Sequence, residues 1–195
     1  MVLGLTGKYC SGKNLAAESF ISRGWYALDI DKFGHSALDA MSSSIVAAFG
    51  QSILSENNSI DRKKLGTIVF GSKKQLSLLE SIIHPKMISQ CKVEIQNNSH
   101  KNILINAAIL HHMGLNKLCD SVLWIKSGVF SRFRRALTRD KLSFFQIIKR
   151  LYGQSKLDAK YWVEDVDIHI IQNRKSRFKL DAEVNALIDK FEERV

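Results

Sequence analysis

The sequence predicts an α/β fold: a five-stranded parallel sheet with helices on both faces and the strand over residues 1–6 at its centre. Three observations carry this expectation. Apolar runs such as MVLGLT, ILINAA and SVLWI are nearly continuous rather than alternating, the pattern of strands buried on both faces. Between them lie longer stretches with apolar residues at helical spacing. A glycine-rich segment, GKYCSGKN, joins the first strand to the first helix.

The elements follow in order. Residues 1–6 form the first strand. Leu15, Ala16, Phe20 and Ile21 recur at helical spacing across 13–23, and Gly24 stops that helix. Residues 25–28 form a second strand, with Asp29 and Asp31 at its C-terminal end. A helical pattern fills 32–49, a polar loop lies within 50–60, and helices are expected over about 61–70, 72–83 and 86–97. Pro85 separates the last two, because the residue before a proline is pushed away from helical angles. Strands are expected at 103–108 and 121–125, basic helices at about 130–140 and 143–153, and a last strand at 166–171. A C-terminal amphipathic helix carries Phe178, Leu180, Val184, Leu187, Ile188 and Phe191. The chain reads as a single domain over 1–195, with the helices of about 32–100 inserted between the second and third strands.

With 195 residues, 45% hydrophobic and 25% charged, the composition is that of an ordinary globular domain. No apolar run approaches the roughly 20 residues that span a bilayer, so no membrane segment is expected. The chain starts on an apolar strand without a basic leader region, so no signal peptide is expected either. Cys10, Cys91 and Cys119 are odd in number and lack metal-ligand spacing. They read as free thiols in a reducing cytoplasm. The net charge of +10 is uneven: residues 131–150 hold seven basic side chains and one acid, and Arg174, Lys175, Arg177 and Lys179 follow. Nucleic acid or a phosphate-rich ligand would answer such charge. No zinc-finger or RNA-recognition pattern stands beside it, which argues against nucleic acid. Arg132, Arg134 and Arg135 read as a solvated helix face.

The loop carries the strongest chemical signal. Gly7–Asn14 fits G-x-x-x-x-G-K between a strand and a helix, the context a phosphate loop requires. Gly7 and Gly12 permit a tight turn, so successive N–H groups can face phosphate oxygens. The helix N-terminus adds its positive dipole end, and Lys13 reaches the β- and γ-phosphates. The bland alternative is a glycine-rich turn with an exposed lysine. Asn14 stands where a serine or threonine hydroxyl normally faces Mg²⁺; its amide oxygen is a ligand of different reach. Asp29 and Asp31, two apart, share one face if the chain there is extended.

Six segments in order resemble the dephospho-CoA kinase family of P-loop nucleoside and nucleotide kinases: GLTGKYCSGKN, ALDIDKFGHSAL, IDRKKLGTIVF, LESIIHPKM, ILINAAILHHMGL and LTRDKLSFFQIIKRLYGQ. The likeness spans about residues 2–173. The last segment is similar to the family's basic lid, over about 128–160 here, and the helical insertion then becomes a substrate-binding region. The resemblance implies transfer of the ATP γ-phosphate to the ribose 3′-hydroxyl of dephospho-CoA, with Mg²⁺. Departures from the family pattern are Asn14 for the hydroxyl residue, Asn106 for an acid, Ala108 for proline, His111 and His112 for Phe-Glu, and His35 for an arginine.

On this resemblance Lys13, Asp31 and Arg139 are catalytic. Asp31 orients the 3′-hydroxyl or takes its proton, and Arg139 is a lid guanidinium closing over ATP. Gly7, Lys8, Tyr9, Cys10, Ser11, Gly12, Lys13, Asn14 and Arg139 bind ATP. Asp31, His84, Asn106, Arg150 and Lys160 bind dephospho-CoA, and Asn14 and Asp29 face the metal. An N-cap role is the alternative for one of the paired aspartates. A cap before Pro85 is the alternative for His84. Two further functions stay open at this point: a P-loop kinase for another nucleoside or nucleotide, and a nucleotide-binding protein without turnover.

Overall fold

The protein's structure is a computed structural model that describes residues 1–140, 144–153, 166–174 and 176–193. Its strands are β1 Val2–Thr6, β2 Tyr26–Asp29, β3 Ile103–Asn106, β4 Ser121–Lys126 and β5 Asp167–Gln172, arranged β2-β3-β1-β4-β5 in one sheet. The helices are α1 Lys13–Ser22, α2 Ile30–Ala40, α3 Ser42–Phe49, α4 Arg62–Gly71, α5 Lys73–Asn97, α6 Val129–Arg139, α7 Phe144–Gly153 and α8 Arg177–Glu192. The expected five-stranded parallel sheet is the one found, with β1 central. β1 runs parallel to β3 and to β4, placing Leu3 beside Leu104 and Leu5 beside Leu123, and β4 runs parallel to β5.

The chain divides into two compact units, one of residues 1–28 and 95–195, the other of residues 29–94. In the first, Leu3, Leu5, Leu104, Leu123 and Ile125 share a buried cluster with Ala16, Ala17 and Phe20 of α1 and Val184, Ile188 and Phe191 of α8. Burying each large apolar side chain contributes about 1.5–3 kcal/mol, so this cluster anchors the α1 that begins at the loop. Gly4 points to the opposite face of β1. A Cβ there would lie 2.6 Å from Leu110 Cδ2 and 2.9 Å from Cys119 Sγ, so that face packs directly on the strand backbone.

In the second unit Ile45, Ile53, Leu65, Val69 and Leu79 form a separate core. Asp61 caps α4, accepting the Lys63 and Lys64 N–H groups at 2.8 and 3.1 Å. The polar loop folds on itself through the Leu54–Ile60 bridge. Two expectations are corrected here. The pattern over 32–49 is two helices, starting at Ile30 and broken at Met41 (φ −103°, ψ 16°). Pro85 separates nothing: it lies inside the continuous α5. Leu79, Met87 and Cys91 are buried on either side of it, and that burial outweighs the lost backbone bond.

Candidate functional site

β1 delivers the chain to Gly7 at the C-terminal edge of the sheet, where ligands of parallel α/β folds sit. The turn back into α1 is tight. The Ser11 N–H donates to the Lys8 carbonyl at 2.9 Å. Cys10 (φ 58°) and Gly12 (φ 99°) are both left-handed, and α1 begins at Lys13. Alternation into left-handed angles curls a backbone so that its N–H groups line an anion-binding concavity. Glycine is required at position 12 on two counts: its φ, and a Cβ that would fall 2.2 Å from Asn173 Nδ2. The Lys13 ammonium donates to Asn106 Oδ1, and Asn106 ends β3, the strand paired with β1. Two residues 93 positions apart are thereby joined at the mouth of the loop.

The basic helices meet the other side of the loop. The Tyr9 hydroxyl donates to the Asp140 carboxylate. Arg139 forks the same carboxylate through Nε at 2.7 Å and Nη2 at 3.0 Å. The guanidinium carbons of Arg139 and Arg150 lie 5.4 and 5.6 Å from the Tyr9 ring centroid. Hydrogen bonds from Arg139 and Tyr9 hold the Asp140 carboxyl down to about 2. Burial, then the bond to Asp140, raises the Tyr9 phenol above its ordinary value. Cys10 packs with Ala136, Ile147 and Leu151, and burial pushes its thiol pKa up, so it is a neutral packing group.

Arg132 and Arg135 are not a solvated face. Arg132 is 3% exposed, its Nε and Nη1 have no hydrogen-bond partner among the described residues, and burial lowers its pKa. Arg135 reaches the Cys10 and Ser11 carbonyls and Asn173. Asn173, 5% exposed, donates from Nδ2 to the Ser11 carbonyl at 2.7 Å. Sequence reasoning passed over Asn173 altogether. A signal for the arginines existed: positions 132, 135, 136 and 139 fall on one face of a helix.

The remaining predicted residues are placed as follows. Asn14 is exposed on the first turn of α1. Asp29 and Asp31 belong to the second unit; Asp29 is extended at the end of β2, but Asp31 is already in α2, so the two do not share one extended stretch. Asp29 is the N-cap of α2, accepting the Asp31 N–H at 3.2 Å, and Asp31 is exposed in the helix's first turn. His84 sits within α5 of the same unit, not at a helix end. Lys160 lies outside the described residues. No group of three His, Cys, Asp or Glu side chains among the described residues is arranged to hold a metal.

A strand, a phosphate-type loop and a helix at the centre of a parallel sheet, flanked by arginines on adjacent helices, define the class of P-loop nucleotide-binding proteins. Comparisons narrow the class. The family model for dephospho-CoA kinase matches residues 1–177. Dephospho-CoA kinase of Borrelia garinii subsp. bavariensis is 40% identical over 193 residues, covering 94% of this chain and 91% of the relative. That of Fusobacterium nucleatum subsp. nucleatum is 33% identical, covering 92% and 94%. Among solved structures, dephospho-CoA kinase from Campylobacter jejuni superposes with a TM-score of 0.72 at 26% identity, covering 98% and 97%. A Thermus thermophilus protein at 20% identity shares the fold with a TM-score of 0.81 over 97% of both chains. The chain belongs to the dephospho-CoA kinase family.

Proposed function

We propose that this protein transfers the γ-phosphoryl group of ATP to the ribose 3′-hydroxyl of dephospho-CoA, completing coenzyme A synthesis. The observation that carries the reading is the Lys13 ammonium held by Asn106 at the mouth of the Gly7–Gly12 loop, in a chain of this family. In this reading the loop N–H groups and Lys13 bind the β- and γ-phosphates, and Lys13 offsets charge that develops on the transferred group. Arg139 exchanges Asp140 for phosphate oxygens, a swap between two acceptors of the same planar fork. Asp31 orients the 3′-hydroxyl and accepts its proton. Asn106, His84, Arg150 and Lys160 serve dephospho-CoA.

Mg²⁺, bound with the nucleotide, supplies neutralisation of the β- and γ-oxygens. The residues offered to it are few: the neutral amide oxygen of exposed Asn14 and the Asp29 carboxylate. Such a donor set fits an ion held chiefly by phosphate and water. One kinase domain over 1–195 with a substrate-binding insertion at about 32–100 and a lid at about 128–160 completes the reading. Among the described residues no helix is long and apolar enough to cross a membrane. The free cysteines Cys10, Cys91 and Cys119 suit a reducing cytoplasm.

The test is ADP release with dephospho-CoA or AMP as acceptor, the product identified by mass. Turnover is expected with dephospho-CoA and a mass gain of one phosphate. Turnover with AMP alone points to another nucleotide kinase. Asp31→Asn is expected to keep ADP binding and to cut turnover at least about a hundredfold, in the range of a lost general base.

A further inference from the structure

We propose that Arg135 and Asn173 are positioning residues for phosphate binding: together they hold the Ser11–Gly12 peptide with its carbonyl outward, which turns the Gly12 N–H toward the bound phosphate. The inference rests on reading Gly7–Lys13 as a phosphate loop. It begins with peptide geometry. A trans peptide points its C=O and N–H in opposite directions, and the described peptides contain no cis bond. To aim an N–H into the loop, the preceding carbonyl must be held on the outside. An outward carbonyl near a buried helix also needs a donor, or it remains an unpaired acceptor.

Both donors are present. Asn173 Nδ2 reaches the Ser11 carbonyl at 2.7 Å, and Arg135 Nη1 reaches the same oxygen at 3.2 Å and the Cys10 carbonyl at 3.3 Å. The two side chains then lock each other. Arg135 Nη2 donates to Asn173 Oδ1 at 3.0 Å, and Nη1 also donates to Ser127 Oγ at 3.0 Å. Ser127 Oγ donates to the Asn173 carbonyl at 3.0 Å, and the Asn173 N–H donates to the Lys126 carbonyl at 2.8 Å. The brace therefore ties the loop to the C-terminal ends of β4 and β5 and to α6. Close approach is built in, since any side chain at Gly12 would collide with Asn173. A fork of five N–H groups can serve several acceptors at once; a lysine ammonium in the same place cannot reach them all.

A brace acts on phosphate whatever is attached to it, whereas an arginine that touches the nucleoside does not affect a ligand without one. Tripolyphosphate and ADP separate the two. Wild type, Arg135→Lys and Asn173→Ala are titrated calorimetrically with each, with thermal midpoints recorded to show that the variants are folded. We expect both variants to bind tripolyphosphate and ADP more weakly by the same factor, about tenfold, the equivalent of about one hydrogen bond. In ¹⁵N-glycine-labelled protein the ADP-induced shift of the Gly12 amide should shrink in both, which mere loss of stability does not cause. A folded variant that binds tripolyphosphate as wild type does overturns the inference. So does weakening confined to ADP. If one variant fails to fold, the other decides. Wild type that binds no tripolyphosphate overturns the phosphate-loop reading itself, and the inference with it.

Discussion

Asn14 follows the lysine whose ammonium rests on Asn106, and it stands where the family pattern has a hydroxyl residue suited to Mg²⁺. Mg²⁺ takes near-octahedral oxygen at about 2.0–2.1 Å and gives up water reluctantly. An amide is bulkier than a hydroxyl, so in the proposed role Asn14 would act on the ion through water or at a displaced position. Asn14→Ser should therefore lower the Mg²⁺ concentration for half-maximal rate by about tenfold, comparable to one hydrogen bond. A Mg²⁺ titration of both proteins at fixed ATP and dephospho-CoA checks this, and coincident curves mean that Asn14 does not act on the ion. Asp140 makes a second prediction. Its folded pKa, about 2, lies below the ordinary carboxylate value because Arg139 and Tyr9 bond the charged form. Its contribution is then complete above about pH 4 and is lost as pH falls toward 2. In urea unfolding from pH 5 to 2, Asp140→Asn should lower the midpoint at pH 5 and meet the wild-type curve near pH 2. What the sequence disclosed at this scale was the loop, because its spacing falls between an apolar strand and a helix. What it hid was Asn173, far along the chain and without a motif, and the burial of Arg132. A total of basic charge says nothing about which side chains turn inward.

Elements were legible where apolar pattern and length agreed. β1, β3 and β4 are short runs with too few residues for a helix, and α1 ends in Ser22, two residues before Gly24. The misses came where a local rule met a tertiary one. The residue-before-proline rule predicts a boundary at Pro85, yet α5 runs through it from Lys73 to Asn97. Asp29 and Asp31 share a face only on an extended chain; the structure has the N-cap alternative instead, with Asp29 ending β2 and its carboxylate capping α2. Asp29 does both, ending β2 and capping α2 with no loop between, and a linear pattern does not show so abrupt a junction. The proline makes a prediction. Proline inside a helix costs about 3 kcal/mol, and its stiffening of the unfolded chain returns about 0.4–1 kcal/mol. Pro85→Ala should therefore stabilise by about 2 kcal/mol, raising the thermal midpoint by roughly 4–8 °C for a chain of this size. Circular dichroism melts of both proteins measure it. A lower midpoint in the variant means that the packing of Leu79, Met87 and Cys91 depends on the bend a proline imposes.

At the scale of the molecule, the sheet order places the loop strand at the centre, with β3 supplying Asn106 on one side and β4 leading to the arginine helix on the other. Strand order cannot be read from a linear pattern beyond the centrality of the most apolar strand, so this convergence on the loop emerged only with the fold. On the proposed phosphate-loop reading, nucleotide binding belongs to the first unit, residues 1–28 and 95–195, while Asp31 belongs to the second. A ligand that binds only the folded state stabilises it by mass action. ADP at a hundred times its Kd should contribute about 2.7 kcal/mol, or roughly 5–10 °C in thermal midpoint. Lys13→Ala removes a charge-assisted contact to phosphate, commonly about 1.5–3 kcal/mol, so at the same ADP concentration half or more of the shift should vanish. Asp31→Asn should keep the shift in full, because its proposed partner is the acceptor hydroxyl. Chelation of metal should leave most of it, because the loop N–H groups and Lys13 remain. Differential scanning of the three proteins with ADP, with and without EDTA, measures all of these. Loss of the shift in Asp31→Asn would show that this carboxylate supports the nucleotide rather than the acceptor. A full shift in Lys13→Ala would remove Lys13 from the phosphates altogether.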